Sequence, residues 1–413
     1  MAVIGGGAAG LAAAIFTARQ APDRRIVVLD GAKKLGAKIL VAGGGRCNVT
    51  NRVVTPEDFC GGSRHIIRRV LAALTVEQTT AFFREMGVEL VAEEHGKLFP
   101  TTNKARTVLD ALLGEADRRG VSVYSSHRVT ELRRHDDGFH IATTAGMLRA
   151  DRVVLATGGR SLPKTGSDGE GYRFAQELGH SLVPVTPALA PFVLANDFHR
   201  PLSGIAHDVV ITVRAAGVKA VHVRGAMLWT HFGVSGPAVL DISRHWHRAR
   251  HDGRDVEVAV NLMPGQDFNT TERQLLELAD AKPKTLVRKA LARRLPARVA
   301  AAVLNQLAID GDTLMTHLRK DQRRKLVGGL TAWPLPVRDS RGYAHAEVTA
   351  GGVPLSEIDA RTMASRTCPG LFLVGEILDV DGRIGGFNFQ WAWSSARAAS
   401  TGLVGSLAAS TTA

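Results

Sequence analysis

Three glycines near the start of the chain have the type and spacing needed to bind a pyrophosphate. Gly5, Gly7 and Gly10 follow the short apolar strand pattern of residues 2–4 and lead into an apolar helix pattern that begins at Leu11. In G-x-G-x-x-G, the first glycine permits a tight turn, the second lets phosphates approach the backbone, and the third lets the helix pack on the strand. The helix N-terminus then offers free N–H groups to the phosphates. The predicted phosphate-binding residues are Gly5, Gly7, Ala8, Ala9 and Gly10.

An acidic residue ends the next predicted strand. Residues 25–29 form a buried strand pattern, and Asp30 lies 20 residues after Gly10, followed by Gly31. At this distance a carboxylate can accept hydrogen bonds from a ribose diol. Strand, glycines, helix, strand and acid occur in the required order. They favour a dinucleotide site over a glycine-rich turn in an unrelated α/β protein.

A second glycine cluster carries polar side chains at short range. After Lys38 the chain reads Gly43-Gly44-Gly45-Arg46-Cys47-Asn48-Val49-Thr50-Asn51. Successive backbone N–H groups in such a segment can form an anion-binding nest. A glycine-rich surface loop is the alternative. Beside Arg46, the Cys47 thiol is expected to favour the thiolate, although simple packing of Cys47 is the alternative reading.

Two further strands end in small residues. The strand at 151–155 runs into Ala156-Thr157-Gly158, and the strand at 370–374 ends in Gly375-Glu376. The segment that follows contains Asp381 and then Gly385-Gly386-Phe387-Asn388, which opens a helix predicted to reach about Leu403. Small residues permit close approach of a ligand or another backbone. The last strand must return to the first domain, so the middle of the chain is an insertion.

These three blocks, Gly5–Gly10, Gly43–Asn51 and the C-terminal segment, resemble the HI0933-like (BaiN-type) flavoprotein family, whose members are also labelled aminoacetone oxidases. The resemblance covers nearly all of the chain and implies FAD as cofactor. It places the second glycine block near the flavin and gives Val129 a backbone contact to the adenine. The N–H groups that open the final helix would face the flavin edge that becomes negative on reduction. Acids between Glu376 and Asp381 would contact the ribityl chain.

The resemblance also implies a reaction class. FAD delivers hydride while the protein supplies position, polarity and a proton donor. The expected proton donors are Cys47, Asp379 and Asp381, with Arg46, Asn48 and Asn51 as orienting residues. Family activities include reduction of a conjugated C=C in small steroid-like molecules, weak oxidation of aminoacetone, and reduction of uridine in ribosomal RNA. No second nucleotide fingerprint is present, so NAD(P)H is expected to bind transiently, and a plain NAD-dependent dehydrogenase is disfavoured.

The composition indicates a globular protein with a strong positive charge. The chain has 413 residues, 45% of them hydrophobic, and a net charge of +13 from 52 basic and 39 acidic residues. Such a charge attracts polyanions. Three widely spaced cysteines predict neither a disulfide framework nor a metal site, and favour a reducing cytoplasm. No apolar run reaches the length needed to span a bilayer, so no membrane association is expected.

Much of the positive charge is concentrated in one segment. Residues 282–325 contain twelve lysines and arginines but three acids. This segment is predicted to be helical and to contact a polyanion such as ribosomal RNA. A solvated helical face in an arginine-rich proteome is the alternative. A flavin-binding, RNA-associated protein without catalysis is therefore a further hypothesis.

The expected fold class is α/β: a Rossmann-like FAD-binding domain of the two-dinucleotide-domain flavoprotein type, with an inserted antiparallel β and helical region. The FAD-binding domain is assigned residues 1–185 and 331–413, the β-rich substrate domain 186–266, and the basic helical domain 267–330. Within the insertion, Thr230, His231 and Ser235 are the predicted substrate contacts. A structural role for His231 is the alternative. The sequence leaves the oligomeric state open.

Overall fold

The computed structural model describes residues 1–410, with side-chain detail up to residue 405. Within these residues the helices are α1 Ala8–Gln20, α2 Ala37–Gly45, α3 Arg64–Leu71, α4 Val76–Glu85, α5 Ala105–Arg118, α6 Glu170–Glu177, α7 Pro237–His251, α8 Phe268–Ala281, α9 Val287–Leu291, α10 Ala297–Gln306, α11 Lys320–Thr331 and α12 Phe387–Ser410.

The strands of the same residues are β1 Ala2–Ile4, β2 Val27–Leu29, β3 Thr50–Asn51, β4 Phe59–Gly61, β5 Leu90–Ala92, β6 Lys97–Pro100, β7 Ser122–Tyr124, β8 Val129–His135, β9 Gly138–Thr143, β10 Gly146–Ala150, β11 Val153–Leu155, β12 Val183–Ala188, β13 Phe192–Leu194, β14 Ala206–Ala215, β15 Val221–Trp229, β16 Gly233–Ser235, β17 Val256–Asn261, β18 Trp333–Pro334, β19 Val337–Ser340, β20 Val348–Gly352, β21 Leu371–Leu373 and β22 Val380–Gly382.

Two compact units divide the chain. Unit 1 contains residues 1–187 and the described residues from Ala346 onward, and unit 2 contains residues 188–345. Unit 1 is built on a parallel sheet of order β21-β11-β1-β2-β7. Its strands β1 and β11 are fully buried runs of small and branched apolar residues, as expected for parallel strands covered on both faces. Smaller antiparallel sheets, β10-β9-β8, β3-β6-β5 and β22-β4, and the strand pair β12-β20 surround it.

The C-terminal part of the chain returns to the first strands. β21 pairs with β11, which pairs with β1. The side chain of Gln20 at the end of α1 donates to Ser400 Oγ of α12 over 2.8 Å. The Arg397 guanidinium lies 5.6 Å from the centre of the Phe16 ring. The helix after the glycine turn and the last helix therefore pack on each other, as the predicted insertion requires.

Unit 2 is an antiparallel sheet with helices. The sheet has the order β18-β17-β14-β15-β16-β13-β19. Residues of the strands and of the helices share one hydrophobic core that includes Ile211, Val260, Leu304 and Leu326. The antiparallel β region with helices that the sequence predicts as an insertion is thus present, and the predicted fold class is confirmed.

Several details differ from the sequence-based expectations. Residues 331–345, assigned from sequence to the C-terminal part of the FAD-binding domain, lie in unit 2 because β18 pairs with β17 and β19 pairs with β13. The helical structure expected within the basic domain, residues 267–330, is interrupted after α8 near Pro283 and before α10 at Pro296, where proline cannot continue a helix.

Membrane-spanning helices and clustered metal ligands are both missing from the described residues. No helix within residues 1–410 combines the length and the hydrophobicity needed to cross a membrane. No group of three or more His, Cys, Asp and Glu side chains in the same part of the chain is placed to hold a metal ion.

Candidate functional site

The turn between β1 and α1 explains each of its three glycines. Gly5 has φ +109°, and a Cβ atom there would lie 2.4 Å from the carbonyl oxygen of Ala156. A Cβ on Gly10 would lie 1.9 Å from the Gly5 carbonyl oxygen. A Cβ on Gly7, by contrast, would meet no protein atom within 4 Å. Gly5 and Gly10 are therefore required by packing, whereas Gly7 opens space at the N-terminus of α1, where N–H groups are free to bind an anion.

Asp30 holds this turn in place. Its carboxylate accepts the Gly6 N–H over 2.7 Å and the Ala32 N–H over 2.8 Å. Each carboxylate oxygen has a further lone pair, so the predicted contact to a ribose diol is compatible with both bonds. Gly31 is packed tightly, because a Cβ there would lie 3.0 Å from the Arg128 side chain. Val129, the predicted adenine contact, is buried at the start of β8.

The strand β11 delivers small residues to the same turn. Ala156 donates its N–H to the Ile4 carbonyl and lies against Gly5. The buried Thr157 hydroxyl has no hydrogen-bond partner within the described residues. Gly158 has φ +73°, and a Cβ there would lie 2.6 Å from Ser167 Oγ. Ala156 and Thr157 thus lie against Gly5 of the β1–α1 turn, Gly158 follows them in the chain, and Thr157 adds a buried hydroxyl without a partner among the described residues.

The second glycine cluster forms an open left-handed turn. Gly43, Gly44 and Gly45 have φ of +58°, +69° and +85°, a conformation that glycine adopts without strain. A Cβ on Gly44 would meet nothing within 4 Å. The cluster ends α2 and positions Asn48 and the short strand β3 that follows. The open space at Gly44 is compatible with the predicted approach of a cofactor.

Cys47 differs from the expectation of a thiolate. Its side chain is completely buried, and burial raises the pKa of the Cys47 thiol to about 12. Arg46 does not offset this burial. Its guanidinium is bonded to the Glu93 carboxylate over 2.8 Å and stacks 4.0 Å from the centre of the Phe99 ring. The thiolate prediction was wrong, because the thiol packs in the core while the arginine turns outward. A catalytic role for either residue remains a prediction.

Asn48 and Asn51 meet the start of α12. Asn51 Nδ2 donates to the Gly385 carbonyl over 3.0 Å and to the His95 carbonyl over 3.1 Å. Asn48 is buried, and its Oδ1 lacks a hydrogen-bond partner in the part of the chain that the structure describes. That oxygen lies 2.9 Å from where a Cβ on Gly386 would stand. The structure therefore brings four predicted site residues together, and one buried acceptor among them has no donor among residues 1–410.

The residues around the start of α12 have separate roles. Gly385 and Gly386 have φ of +131° and +94°, and a Cβ on Gly386 would lie 2.5 Å from the Thr50 carbonyl. The Phe387 side chain is completely buried, and its ring lies 2.9 Å from where a Cβ on Gly385 would stand. Asn388 accepts the Gly382 N–H over 2.8 Å and donates to its carbonyl over 2.9 Å.

Asp381 directly precedes Gly382, whose backbone is bonded to the Asn388 side chain. It is 2% exposed and pairs with Cys60 across β22 and β4. The carboxyl group that is predicted to contact the cofactor and to donate a proton is therefore buried, and it lies on β22. The Asn388 side chain holds this strand through the Gly382 backbone, and its contact to the cofactor remains a prediction.

Lys38 and Glu376 contact each other. Lys38 Nζ lies 2.5 Å from Glu376 Oε2. Glu376 Oε1 accepts from Ser161 Oγ over 2.8 Å and from the Thr349 N–H over 2.9 Å. Sequence reasoning missed Ser161 and Thr349 as members of this network. The Gly375-Glu376 strand end was the signal for the acid, but nothing in the spacing shows which groups bind it. The network joins α2 to the strand ends after β11 and β21.

Two features of these residues are suited to FAD. The open turn at Gly7 and the helix N-terminus of α1 form a cradle suited to the two phosphates. The buried, unpartnered Asn48 Oδ1 near Gly386 is an acceptor suited to an N–H donor of a ring such as the isoalloxazine. Residues 387–389 begin α12, and their N–H groups have no acceptor inside the helix. They give the same region a positive end of a helix dipole.

The predicted substrate residues belong to one hairpin of unit 2. Thr230 accepts the Gly233 N–H at its hydroxyl over 3.2 Å, which closes the turn between β15 and β16. His231 is exposed at the tip, and its ring lies 5.1 Å from that of Phe232. Ser235 is half-buried and pairs with Leu228. A substrate contact by any of the three remains a prediction, although Thr230 has a clear structural use.

The basic segment of unit 2 contains both paired and unpaired cations. Arg288 pairs with Asp312 over 2.7 Å, and Arg323 pairs with Glu272 over 3.4 Å. Five exposed cations have side chains that form no ion pair, hydrogen bond or ring contact within residues 1–410: Lys282, Lys284, Lys289, Arg293 and Lys320. The segment therefore retains positive charge that its own carboxylates do not neutralise.

Comparison with known proteins identifies the family. The family model described as "HI0933-like protein Rossmann domain" matches residues 1–402. The chain is 34% identical over 409 residues to the ribosomal RNA dihydrouridine synthase of Escherichia coli K12, with 97% of each chain covered. It is 32% identical over 393 residues to the 3-dehydro-bile acid delta(4,6)-reductase of Clostridium scindens, with 95% of this chain and 96% of the relative covered.

A solved structure supports the fold alone. The 3-ketosteroid delta1-dehydrogenase of Sterolibacterium denitrificans, in complex with 1,4-androstadiene-3,17-dione, aligns with a TM-score of 0.51 at 12% identity. The alignment covers 98% of this chain and 99% of that one. The family match and the fold agree with the site described above. The chain belongs to the HI0933-like family and is an FAD-dependent oxidoreductase, as its glycine blocks predicted.

Proposed function

We propose that this protein reduces a carbon–carbon double bond conjugated to a carbonyl group, with NAD(P)H as the electron donor. The observation that carries the proposal is the meeting of Asn48, Asn51, Gly385 and Gly386 in the unit that also contains the open phosphate turn at Gly7. When bound, FAD supplies hydride transfer between the donor and the unsaturated carbon. The net reaction takes a hydride from NAD(P)H and a proton from solvent, and adds two hydrogens across the double bond.

The chain's own residues provide position and polarity. The N–H groups at the start of α12 and the positive end of its dipole stabilise negative charge beside Gly385 and Gly386. Asn51 fixes this turn by its bond to the Gly385 carbonyl. Buried Asp381 and the protonated Cys47 thiol are retained as candidate proton donors. Cys47 holds its proton firmly, because burial raises the pKa of its thiol to about 12.

The names of the relatives support this substrate class. One is named for dihydrouridine, which is uridine with two hydrogens added across a double bond conjugated to a carbonyl. Another is named as a delta(4,6)-reductase of a 3-dehydro-bile acid. These substrates differ in size and charge but share the conjugated C=C. We therefore propose that this chain reduces a conjugated C=C. The names of the relatives do not agree on the rest of the substrate.

Uridine in ribosomal RNA is the second, more specific candidate. It is favoured by the five exposed and unpaired cations between Lys282 and Lys320, because RNA binding depends on neutralising phosphates. A small neutral substrate does not require such a surface. Cys47, Cys60 and Cys368 form no disulfide within the residues that the structure describes, which fits the proposed location in a reducing cytoplasm.

The test begins with anaerobic reduction of the FAD-loaded protein by NADPH or NADH. Ribosomal RNA or a small enone is then added, and the oxidised flavin absorbance is followed. We expect reoxidation, together with a product heavier by two hydrogen atoms. Reduction by neither nucleotide would contradict the donor. Reoxidation by oxygen but by no unsaturated acceptor would contradict the reaction class, whereas bound FAD without turnover with either nucleotide would favour the hypothesis of a non-catalytic, RNA-associated flavoprotein.

A further inference from the structure

A cationic cleft lies in unit 1, apart from the residues assigned above. It has a volume of about 190 Å³ and is lined by residues of α3 and of the loop before β21: His65, Arg69, Asp359, Ala360, Arg361 and Arg366. A water molecule occupies about 30 Å³ of liquid. The cleft is therefore large enough for a tetrahedral oxyanion with some of its hydration water.

The charges of the cleft are unbalanced. Three arginines face one carboxylate, that of Asp359. Asp359 is already committed, because its Oδ1 accepts the N–H groups of Arg361 and Thr362 over 2.8 and 3.2 Å. Arg366 lies 3.8 Å from this carboxylate. The guanidinium groups of Arg69 and Arg361 have no ion pair among the residues that the structure describes.

A buried histidine orders the loop that carries two of these arginines. His180 Nδ1 lies 2.7 Å from Glu357 Oε2, and His180 Nε2 lies 2.8 Å from Ser365 Oγ. The imidazole is completely buried. It therefore connects both ends of the segment 357–365, which contains Arg361 and adjoins Arg366. Ordering the loop in advance lowers the entropy that anion binding would otherwise cost.

Helix α3 extends the positive surface beyond the cleft. Arg64 and Arg68 lie beside His65 and Arg69 in the sequence, and all four side chains are exposed. A single small anion would occupy the cleft alone. A polymer with a phosphate at every residue would contact the cleft and the neighbouring arginines together, and arginine binds phosphate in a bidentate manner.

We propose that this cleft binds a backbone phosphate of RNA. The inference rests on the RNA candidate of the proposed function and adds a binding site in unit 1 to the basic segment of unit 2. Because phosphate contacts position a nucleic acid without reading its sequence, the site acts on RNA binding and not on hydride transfer. Removing its arginines is therefore expected to leave FAD content and the reduction of small enones unchanged.

The test compares RNA binding by three double variants of the FAD-loaded protein. Arg69→Ala with Arg361→Ala removes two cleft charges. Arg69→Lys with Arg361→Lys keeps the charges but removes the guanidinium geometry. Arg106→Ala with Arg149→Ala is the matched control, since both side chains are exposed arginines of unit 1 that are not part of the cleft. Binding of a short fluorescent, uridine-containing RNA is measured by anisotropy over a series of salt concentrations.

The alanine cleft variant is expected to bind RNA roughly tenfold more weakly for each arginine–phosphate bond that it can no longer form. The slope of log affinity against log salt should fall by about 0.7 for each phosphate that is no longer neutralised. The lysine variant should keep most of the slope. Equal decreases of affinity in the cleft and control variants, an unchanged slope, or no RNA binding by the unaltered protein would overturn the inference. A raised KM for NADPH with unchanged RNA binding would assign the cleft to the nucleotide phosphate instead.

Turnover with a small enone separates this inference from the proposed function. If the enone is reduced but the cleft variants bind RNA normally, the cleft proposal fails and the reaction class stands. If RNA binding depends on the cleft while no unsaturated acceptor is reduced, the reaction class fails and the binding site stands.

Discussion

Replacing Gly7 by glutamate separates cofactor binding from folding. Gly7 has φ −87° and ψ −167°, which any residue can adopt, and a Cβ there would meet no protein atom within 4 Å. We therefore expect the free energy of unfolding of the apoprotein to change by no more than about 1 kcal/mol. The added carboxylate would, however, stand where the α1 N-terminus receives the phosphates of FAD.

The magnitude follows from the charge placed in that space. Two like charges about 4 Å apart repel by about 4 kcal/mol at an effective dielectric constant of 20. This energy corresponds to roughly a thousandfold decrease of FAD affinity. Gly7→Gln is the matched control, because glutamine has nearly the same size without the charge. The difference between the two variants therefore measures the electrostatic part.

The assay is FAD titration of each apoprotein, followed by the quenching of flavin fluorescence, with urea unfolding of the same samples. Gly7→Glu should lose FAD while it unfolds at nearly the same urea concentration as the unaltered chain. Stoichiometric FAD in Gly7→Glu would refute the placement of the phosphates. Equal affinities of the glutamate and glutamine variants would refute the electrostatic argument.

Three further predictions concern single buried groups. Gly10→Ala should lower the free energy of unfolding of the apoprotein by about 1–3 kcal/mol in urea, since the added Cβ would lie 1.9 Å from a backbone oxygen. An unchanged free energy of unfolding would contradict this packing. Native Cys47 should resist iodoacetamide between neutral and mildly alkaline pH, and Cys47→Ala should lower turnover more than FAD content; rapid labelling of Cys47 in mass spectra would show a thiolate after all. Burial would raise the pKa of Glu115, but bonds from Arg119, Arg118 and Arg19 hold this pKa at about 2. The ionised Glu115 should therefore add up to about 3 kcal/mol to the free energy of unfolding above pH 4.5, and this stabilisation should be lost as the pH falls toward 2. Glu115→Gln should flatten this part of the pH–stability curve, and an unchanged curve would count against the pairing.

The parts of the site that the sequence predicted are those dictated by backbone geometry. The roles of Gly5 and Gly10 follow from steric rules that act over a few residues, and the structure shows the expected close contacts to Ala156 and to Gly5. The return of β21 to the first sheet also follows from order along the chain, because a buried strand ending in Gly375 needs a parallel neighbour. Local rules of this kind are available from one sequence.

The parts that the sequence did not predict depend on which way a side chain turns. Arg46 and Cys47 are adjacent in the chain, but the positive φ of Cys47 (+60°) places the thiol in the core while the arginine stacks on Phe99. Glu376 binds Lys38 across 338 residues of sequence, a pairing that no spacing rule gives. The boundary near residue 330 was misplaced because β18 and β19 are short strands whose partners lie far away in the sequence.

The most direct test of FAD binding at this site is the amount of flavin that the purified chain carries. The visible spectrum gives the flavin, denaturation releases it for identification, and the protein concentration gives the ratio. We predict a yellow protein with one FAD per chain, released without covalent attachment. A colourless protein that also fails to bind added FAD would contradict the assignment of the glycine turn and the start of α12 to the cofactor.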